Sequence, residues 1–268
     1  MPKLGHLNNA FSVKLFEEIT LKGPASLLTF KQKLRHLMSK VAIVTGASRG
    51  IGKEICRTLA GEQHTVFAVA RSEKRLEKLQ QSYPGVIHAI PTDLTEVEAI
   101  DELIRQIREK VSGIDVLINN AGALINKSFE DLTLNDWRSQ IESNLISAVA
   151  ITKQVLPIFN PSAHIINISS MGGFQGSAKF PGLSAYSVSK GALSILTECL
   201  ASELKENKIA VNALCLGAVQ TDMLEDAFPG IHAPVSPREM GKYISEFALD
   251  GHRFYNGKIL PVALEDPE

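Results

Sequence analysis

A tyrosine and a lysine that could together move a proton lie four positions apart, at Tyr186 and Lys190. They fall early in a segment with helical periodicity, and residues i and i+4 share one face of a helix, so both side chains are expected to project the same way. A free tyrosine has a pKa of about 10, whereas a useful acid or base titrates nearer the working pH. A neighbouring ammonium would lower that pKa. The spacing alone is common in helices, where a surface pair is the plainer explanation.

A hydroxyl group at the end of a predicted strand strengthens the chemical interpretation. Residues 165–169 include three isoleucines and are predicted to form a strand, and Ser170 follows it directly. In open α/β sheets, ligands bind at the edge formed by the carboxyl ends of the strands. A serine there can donate a hydrogen bond to an oxygen that is gaining negative charge. We therefore predict an acid–base site that includes Ser170, with the adjacent Ser169 as the alternative.

A glycine-rich turn follows the first predicted strand, with glycines at positions 46, 50 and 52. A turn of this kind brings backbone amides close to a pyrophosphate, and a Cβ at the tightest points would block the approach. The helix that follows directs its positive end at the anion. Three glycines are a weak signal alone, but their position between a strand and a helix predicts dinucleotide binding. The residues predicted to bind here are Gly46, Ser48, Arg49, Gly50, Ile51 and Gly52.

The end of the second predicted strand indicates which dinucleotide is bound. An NAD-type site places an acid about 20 residues beyond the turn, on the ribose 2′-hydroxyl. This chain has Arg71 there instead, and no acid before Glu73. Arg71, assisted by Arg49 in the turn, could bind a 2′-phosphate through charge-assisted hydrogen bonds. The pattern predicts NADP(H), and the alternative is that both arginines are solvated surface residues.

Strand and helix patterns alternate along the rest of the chain. This alternation implies parallel strands with right-handed crossovers, and strands that are apolar on both sides imply a sheet covered on both faces. We predict a single α/β domain over residues 38–268, with a doubly wound, mostly parallel Rossmann sheet of six to seven strands. The predicted strands are residues 41–44, 65–70, 86–91, 116–118, 165–169, 209–216 and 258–262, and the predicted helices are residues 52–62, 72–82, 96–111, 134–159, 184–207 and 236–249.

Composition excludes several other classes of protein. A formal net charge of −1 with 44% hydrophobic residues is ordinary for a soluble globular chain and gives no basic field for nucleic acid or a membrane surface. The apolar runs are too short to span a membrane. The three cysteines form no paired motif, which favours a reducing cytoplasm over a disulfide framework. The seven histidines show no metal-binding spacing, so we predict no metal site.

The first 37 residues differ from the remainder. They are rich in lysine, lack the continuous apolar stretch of a secretory signal, and contain too many acids and too few arginines for a transit peptide. We expect residues 1–37 to be an N-terminal extension, poorly packed or disordered. Met38 directly precedes the first strand and is an alternative start of the native chain.

These residues together resemble the short-chain dehydrogenase/reductase family, from about Val41 to Val262. The resemblance implies a catalytic set in which Tyr186 is the acid/base and Lys190 holds the nicotinamide ribose. Ser170 then orients the carbonyl, and Asn144 helps to hold a relay water. It also implies dimers or tetramers built through the two long helices. The further cofactor contacts that it implies are Asp93, Leu94, Asn120, Ala121, Gly122, Gly217, Val219 and Thr221, with Tyr186 and Lys190.

The chain departs from the family pattern in two regions that would shape a substrate pocket. Ser170 and Tyr186 are 16 positions apart, three more than the family usually shows, and we place the extra residues near positions 177–179. The segment 221–236 is short for a substrate lid, which suggests an open or small one. Five residues in these regions suggest an apolar pocket, although they could equally pack the loops down: Phe174, Phe180, Met223, Leu224 and Phe228.

The resulting prediction is an NADP(H)-dependent oxidoreductase that reduces a ketone or aldehyde, or oxidises an alcohol, by hydride transfer. Its partner is a small-molecule carbonyl or alcohol, and we expect a homodimer or homotetramer in the cytoplasm that binds neither nucleic acid nor membrane. One alternative is a non-catalytic NADP(H)-binding redox sensor. Another is an epimerase or dehydratase of the same fold that acts through a transient oxidation. The sequence does not identify the substrate or the direction of the reaction.

Overall fold

The computed structural model describes residues 39–264. The predicted extension over residues 1–37 and the alternative start at Met38 therefore lie outside the described residues. Within the described range, no helix is both long enough and apolar enough to cross a membrane.

Seven strands form one sheet in the order β3-β2-β1-β4-β5-β6-β7, and every neighbouring pair is parallel. This confirms the predicted α/β, doubly wound architecture. Strand order reverses direction between β1 and β4, which is where such sheets bind ligands. The strands are β1 (Val41–Thr45), β2 (Thr65–Ala70), β3 (Ile87–Pro91), β4 (Ile114–Asn119), β5 (Phe159–Ser170), β6 (Ala210–Leu216) and β7 (Ile259–Val262).

Helices cover both faces of the sheet because the strands are apolar on both sides. Ala42 and Val44 of β1 belong to the core on one face, whereas Ile43 between them belongs to the core on the other. Successive side chains of a strand point to opposite faces, so a short apolar strand serves two cores. The helices are α1 (Gly50–Gly61), α2 (Glu73–Ser82), α3 (Val97–Arg108), α4 (Leu134–Ile141), α5 (Ser147–Val155), α6 (Ser184–Glu203), α7 (Asp222–Ala227) and α8 (Pro237–Asp250).

The predicted helix over residues 134–159 was wrong in its continuity and in its end. The structure has α4, a π-helical turn at Glu142–Ile146 and α5, followed by a 3₁₀ turn at Leu156–Ile158. Phe159 begins β5, where it pairs with Ile114. The helical pattern of the sequence does not reveal the π-turn. Strand β5 begins earlier than predicted because β4 lies beside it and pairs with its first residue.

Helix α7 lies in the segment that was expected to be a short lid. Thr221 is its N-cap, and its hydroxyl accepts a hydrogen bond of 3.3 Å from the backbone amide of Leu224. A polar cap followed by Asp222 is a helix-start signal, but six residues are too few to show a period.

Close packing of α8 on α1 generates a stability prediction. A Cβ added at Gly241 would lie 2.7 Å from Cβ of Glu54 and 3.0 Å from the backbone nitrogen of Ile55, whereas one added at Gly61 would meet nothing within 4 Å. Gly241→Ala should lower the free energy of unfolding by about 1–3 kcal/mol, because the two helices must separate. Gly61→Ala should be neutral or stabilising by less than about 1 kcal/mol. Urea titration measures both, and equal effects of the two substitutions would contradict this packing.

Candidate active site

A cavity of about 450 Å³ opens at the carboxyl edge of the sheet, beside the exits of β1, β2 and β4. It brings together most of the residues that the sequence singled out. Those that line it are Gly46, Ser48, Arg49, Gly50, Ile51, Gly52, Arg71, Asp93, Leu94, Asn120, Ala121, Gly122, Ser169, Tyr186, Lys190 and Thr221. Ser170, Asn144, Gly217 and Val219 are not part of its lining.

The glycine-rich turn packs directly against the exit of β4. Gly46 has φ +66°, and a Cβ there would lie 2.8 Å from Nδ2 of Asn120. A Cβ at Gly52 would lie 2.4 Å from the carbonyl oxygen of Gly46. Gly50, also at positive φ, has only the Thr221 side chain nearby, at 3.5 Å. Two of the three glycines are therefore required by contacts within the protein, and Gly50 leaves the most open space.

Thr45 joins these two segments. Its hydroxyl accepts hydrogen bonds of 2.9 Å from the backbone amides of Asn120 and Ala121, and donates to the carbonyl of Ile118 at 3.2 Å. Nδ2 of Asn120 donates to the carbonyl of Thr45 at 2.9 Å. This network holds the Asn120–Gly122 segment against the start of α1.

Helix α1 begins at the cavity without a side-chain cap. Its N-cap, Arg49, makes no capping hydrogen bond, so the first amides of the helix retain their capacity to bind an anion. The guanidinium of Arg49 instead lies 3.4 Å from Asp222 and 3.7 Å from Asp226 of α7. Arg49 thus contacts helix α7 in this structure.

A second basic group lies at the exit of β2. Arg71, Ser72 and Arg75 all line the cavity there. Sequence reasoning found Arg71 but missed Arg75, whose position one helical turn later was the available signal. Asp93 lies nearby, and the hydrogen bond from the Thr95 backbone is the main reason that its pKa is lowered, with a smaller contribution from Arg71.

Helix α6 carries Tyr186 and Lys190 to the opposite end of the cavity. Lys190 is buried, and its Nζ donates a 2.8 Å hydrogen bond to the carbonyl of Ile168. It lies 5.9 Å from the centre of the Tyr186 ring. Burial lowers the pKa of Lys190 to about 8. It therefore remains largely protonated at neutral pH.

The pKa of Tyr186 shifts in the direction opposite to the expected one. Burial raises it, and the hydrogen bond with the Ser170 side chain only partly opposes that effect. Desolvation favours the neutral phenol over the phenolate. The protein by itself therefore keeps Tyr186 protonated.

The two serines at the end of β5 point in different directions. The hydroxyl of Ser169 is buried and donates to the carbonyl of Lys190 at 2.9 Å. The Ser170 side chain interacts with Tyr186 and acts to lower that tyrosine's pKa, and its hydroxyl accepts from the amide of Gly172 at 3.1 Å. Ser170 is therefore the serine placed beside the tyrosine.

Asn144 lies in the π-helical turn between α4 and α5, behind the cavity wall. Its Oδ1 accepts from the amide of Ala123 at 2.7 Å, and its Nδ2 donates to the carbonyl of Ala123 at 3.0 Å. Single π-turns inside helices frequently mark functional sites. Here the turn lets a buried amide side chain hold the backbone of a cavity-lining residue.

The segment after β6 lies at the margin of the site. The amide of Gly217 donates to the carbonyl of Val262, and Val219 is buried and bridges to Val235. Of the residues expected to form an apolar pocket, Met223 lines the cavity. In the inserted loop, the ammonium of Lys179 donates to the carbonyls of Phe174 and Ser177, at 2.7 and 3.0 Å. That contact stabilises the loop from within.

Among residues 39–264, no group of three histidine, cysteine, aspartate or glutamate side chains is arranged to hold a metal ion.

Comparison with known proteins assigns the family. Residues 40–231 match the model of the short chain dehydrogenases. The chain belongs to the short-chain dehydrogenase/reductase family. Relatives include an uncharacterized oxidoreductase of Staphylococcus saprophyticus, 32% identical over 77% of this chain and 90% of that protein. A fatty acyl-CoA reductase of Acinetobacter baylyi is 34% identical over 78% and 72%, and the ketoacyl reductase HetN of Nostoc is 37% identical over 71% and 67%.

Solved structures agree with this assignment. A Serratia marcescens short-chain dehydrogenase/reductase mutant superposes with a TM-score of 0.75 at 28% identity, over 84% of this chain and 96% of that one. A short chain dehydrogenase from Burkholderia cenocepacia, solved in complex with NADP, superposes with a TM-score of 0.75 at 26% identity and the same coverage. The protein is therefore an oxidoreductase of this family.

Burial of Lys190 predicts a pH-dependent stability. The unfolded lysine keeps its proton up to about 10.5, whereas the folded one releases it near 8. The unfolded state then binds more protons between these values, so this lysine makes stability rise with pH there, by at most about 3 kcal/mol. The difference in unfolding free energy between Lys190→Met and wild type should shift in favour of wild type from pH 7 to pH 10. Denaturant titrations at several pH values measure it, and a flat difference would rule out the shift.

Proposed function

We propose that this protein is an NADP(H)-dependent carbonyl reductase. One observation carries the proposal. Tyr186 and the buried Lys190 line one end of a cavity, with the Ser170 side chain interacting with the tyrosine, and a basic group of Arg71 and Arg75 lies at the other end. NADP(H) would suit both ends, because its 2′-phosphate could bind the arginines and its nicotinamide could lie beside Tyr186 and Lys190.

The residues present fit such a cofactor. The uncapped start of α1 and the open space over Gly50 suit a pyrophosphate. Arg71, Ser72 and Arg75 would hold the 2′-phosphate, and Asp93 would contact the adenine. One structure similar to this chain contains NADP. When bound, NADPH supplies the hydride.

The chain's own residues would supply the proton and orient the carbonyl. Ser170 donates a hydrogen bond to the carbonyl oxygen, and Tyr186 transfers its proton to that oxygen as negative charge develops. The raised pKa of Tyr186 keeps the proton on the phenol until then. Lys190 would pass this proton towards solvent, whereas the Asn144 side chain is bonded to Ala123 and Ser189 and would act by holding the cavity wall. Gly217, Val219 and Thr221 would complete the cofactor site.

The substrate class that we propose is an apolar carbonyl compound, with acyl-derived ketones and aldehydes tested first. Two relatives are named as acyl reductases, and Met223 lines the cavity. The activity is measured as the loss of NADPH absorbance with a panel of such compounds, and we expect turnover with them. Turnover confined to polar sugars would exclude this substrate class.

We also propose a homodimer or homotetramer in the cytoplasm. Val188 and Ile195 are 51% and 58% exposed and lie seven residues apart on α6, with Ile146 40% exposed in the neighbouring π-turn. Apolar residues at this spacing share one face of a helix, and a second copy of the chain would cover them. All three cysteines are free, as a reducing compartment requires. A monomer in sedimentation equilibrium would exclude the assembly.

Cofactor choice should depend on Arg71. In Arg71→Ala the dissociation constant for NADPH should rise by about 10- to 100-fold, because one charge-assisted contact to the 2′-phosphate is lost. NADH binding should stay within about twofold of wild type. Titration calorimetry measures both constants, with Arg238→Ala as the control because Arg238 is exposed on α8 and outside the cavity. Equal affinity of wild type for the two cofactors would contradict the assignment.

Tyr186→Phe should separate catalysis from cofactor binding. Removing the hydroxyl should lower kcat for NADPH oxidation by about 100-fold or more, because the proton donor is lost, while the NADPH dissociation constant changes little. Tyr243→Phe, on α8 and outside the cavity, is the matched control and should leave kcat unchanged. A fully active Tyr186→Phe would remove the basis for the mechanism.

A further inference from the structure

Helix α6 carries a row of buried hydroxyls, at Ser189, Ser194 and Thr197. Each donates to a backbone carbonyl one turn earlier. Ser189 bonds to Tyr186 at 2.7 Å, Ser194 to Lys190 at 3.2 Å and Thr197 to Leu193 at 2.9 Å. Back-bonding of this kind is common for serine and threonine in helices, and it leaves each oxygen able to accept a hydrogen bond from elsewhere.

The donor that bonds to the hydroxyl oxygen differs between Ser189 and Thr197. Thr197 accepts from Nδ2 of Asn167 in the sheet, at 2.9 Å. Ser189 accepts from Nδ2 of Asn144 in the π-turn, at 2.9 Å. Ser189 and Asn144 are 0% and 1% exposed. No solvent can replace this contact if it is lost.

A chain of hydrogen bonds therefore connects the cavity wall to the tyrosine. Asn144 holds both the amide and the carbonyl of Ala123, which lines the cavity. Its second N–H reaches Ser189, and Ser189 reaches the backbone of Tyr186. The Asn144 side chain is also packed closely against Gly122, because a Cβ at Gly122 would lie 2.8 Å from Oδ1 of Asn144.

We propose that Ser189 is a positioning residue for the reaction. Its hydroxyl fixes the Asn144 side chain to the first turn of α6, so that Tyr186 and the Ala123 backbone keep a constant separation. This inference rests on the proposed reductase function. Ser189 touches neither the reacting atoms nor the cavity, and it acts through its two neighbours.

Two substitutions separate the hydrogen bond from packing. Ser189→Ala removes the acceptor, and Ser189→Cys fills the space but accepts only weakly. Ser245→Ala is the matched control, because Ser245 is 1% exposed, back-bonds to Gly241 on α8 and is not part of the cavity lining. Thermal unfolding of all three reports any general loss of stability.

The expected result has a kinetic part and a structural part. Both Ser189 variants should lower kcat by about tenfold, the size expected for one buried hydrogen bond, with KM and the NADPH dissociation constant within about twofold of wild type. Hydrogen exchange followed by NMR should show the Ala123 amide exchanging about tenfold faster. Ser245→Ala should leave kcat and Ala123 exchange unchanged, even where its melting temperature falls equally.

Several outcomes would overturn the proposal. Unchanged exchange at Ala123 would show that Ser189 does not hold Asn144, and unchanged kcat would remove its role in the reaction. Wild-type behaviour of Ser189→Cys would assign the effect to packing, and weakened NADPH binding would assign it to general disorder of the site. Wild-type protein that binds NADPH but reduces no carbonyl would refute the proposed function, and the exchange measurement would still decide whether Ser189 holds Asn144.

Discussion

The close contact between the glycine-rich turn and the exit of β4 is the constraint on which the rest of the site depends. Gly46 and Gly52 leave room for Asn120 to reach the carbonyl of Thr45, and the Thr45 hydroxyl binds the amides of the same segment. This contact lies at the point where strand order reverses, so it sets where α1 begins. The cavity opens there because two crossovers leave in opposite directions.

Desolvation of the lysine and the tyrosine produces a second constraint. Desolvation raises the pKa of Tyr186 and lowers that of Lys190, so both shifts favour the uncharged side chain. Residues at the end of β5 offset part of this desolvation. Ser170 interacts with the tyrosine, and the carbonyl of Ile168 accepts a hydrogen bond from the lysine ammonium. A site of this kind stabilises a protonated phenol beside an ammonium, and a phenolate forms there only when further positive charge enters the cavity.

Much of the fold, and the grouping of residues at the candidate site, followed from local patterns. The strand at residues 65–70 was predicted with its observed bounds, and the glycine spacing and the Tyr186–Lys190 pair identified both ends of the cavity. The break in the helix near Asn144 was missed, because the positions that become buried keep a spacing of three or four residues through the π-turn. Arg75 was missed because its side chain matters only once α2 is placed beside the exit of β2. Arg49 was predicted to assist in binding the 2′-phosphate. Its contact with Asp222 could not be predicted, because the two residues are 173 positions apart in sequence.

The amino-acid sequence by itself determined the alternation of strands and helices, the glycine turn and the helical face shared by Tyr186 and Lys190, because each of these depends on residues within one or two turns of one another. Only the tertiary structure decided which serine faces the tyrosine, which partner Arg49 contacts and in which direction the tyrosine pKa moves. Those outcomes depend on burial and on contacts between distant segments. Adjacent serines are equivalent in sequence, but the pleat of β5 turns their side chains to opposite sides.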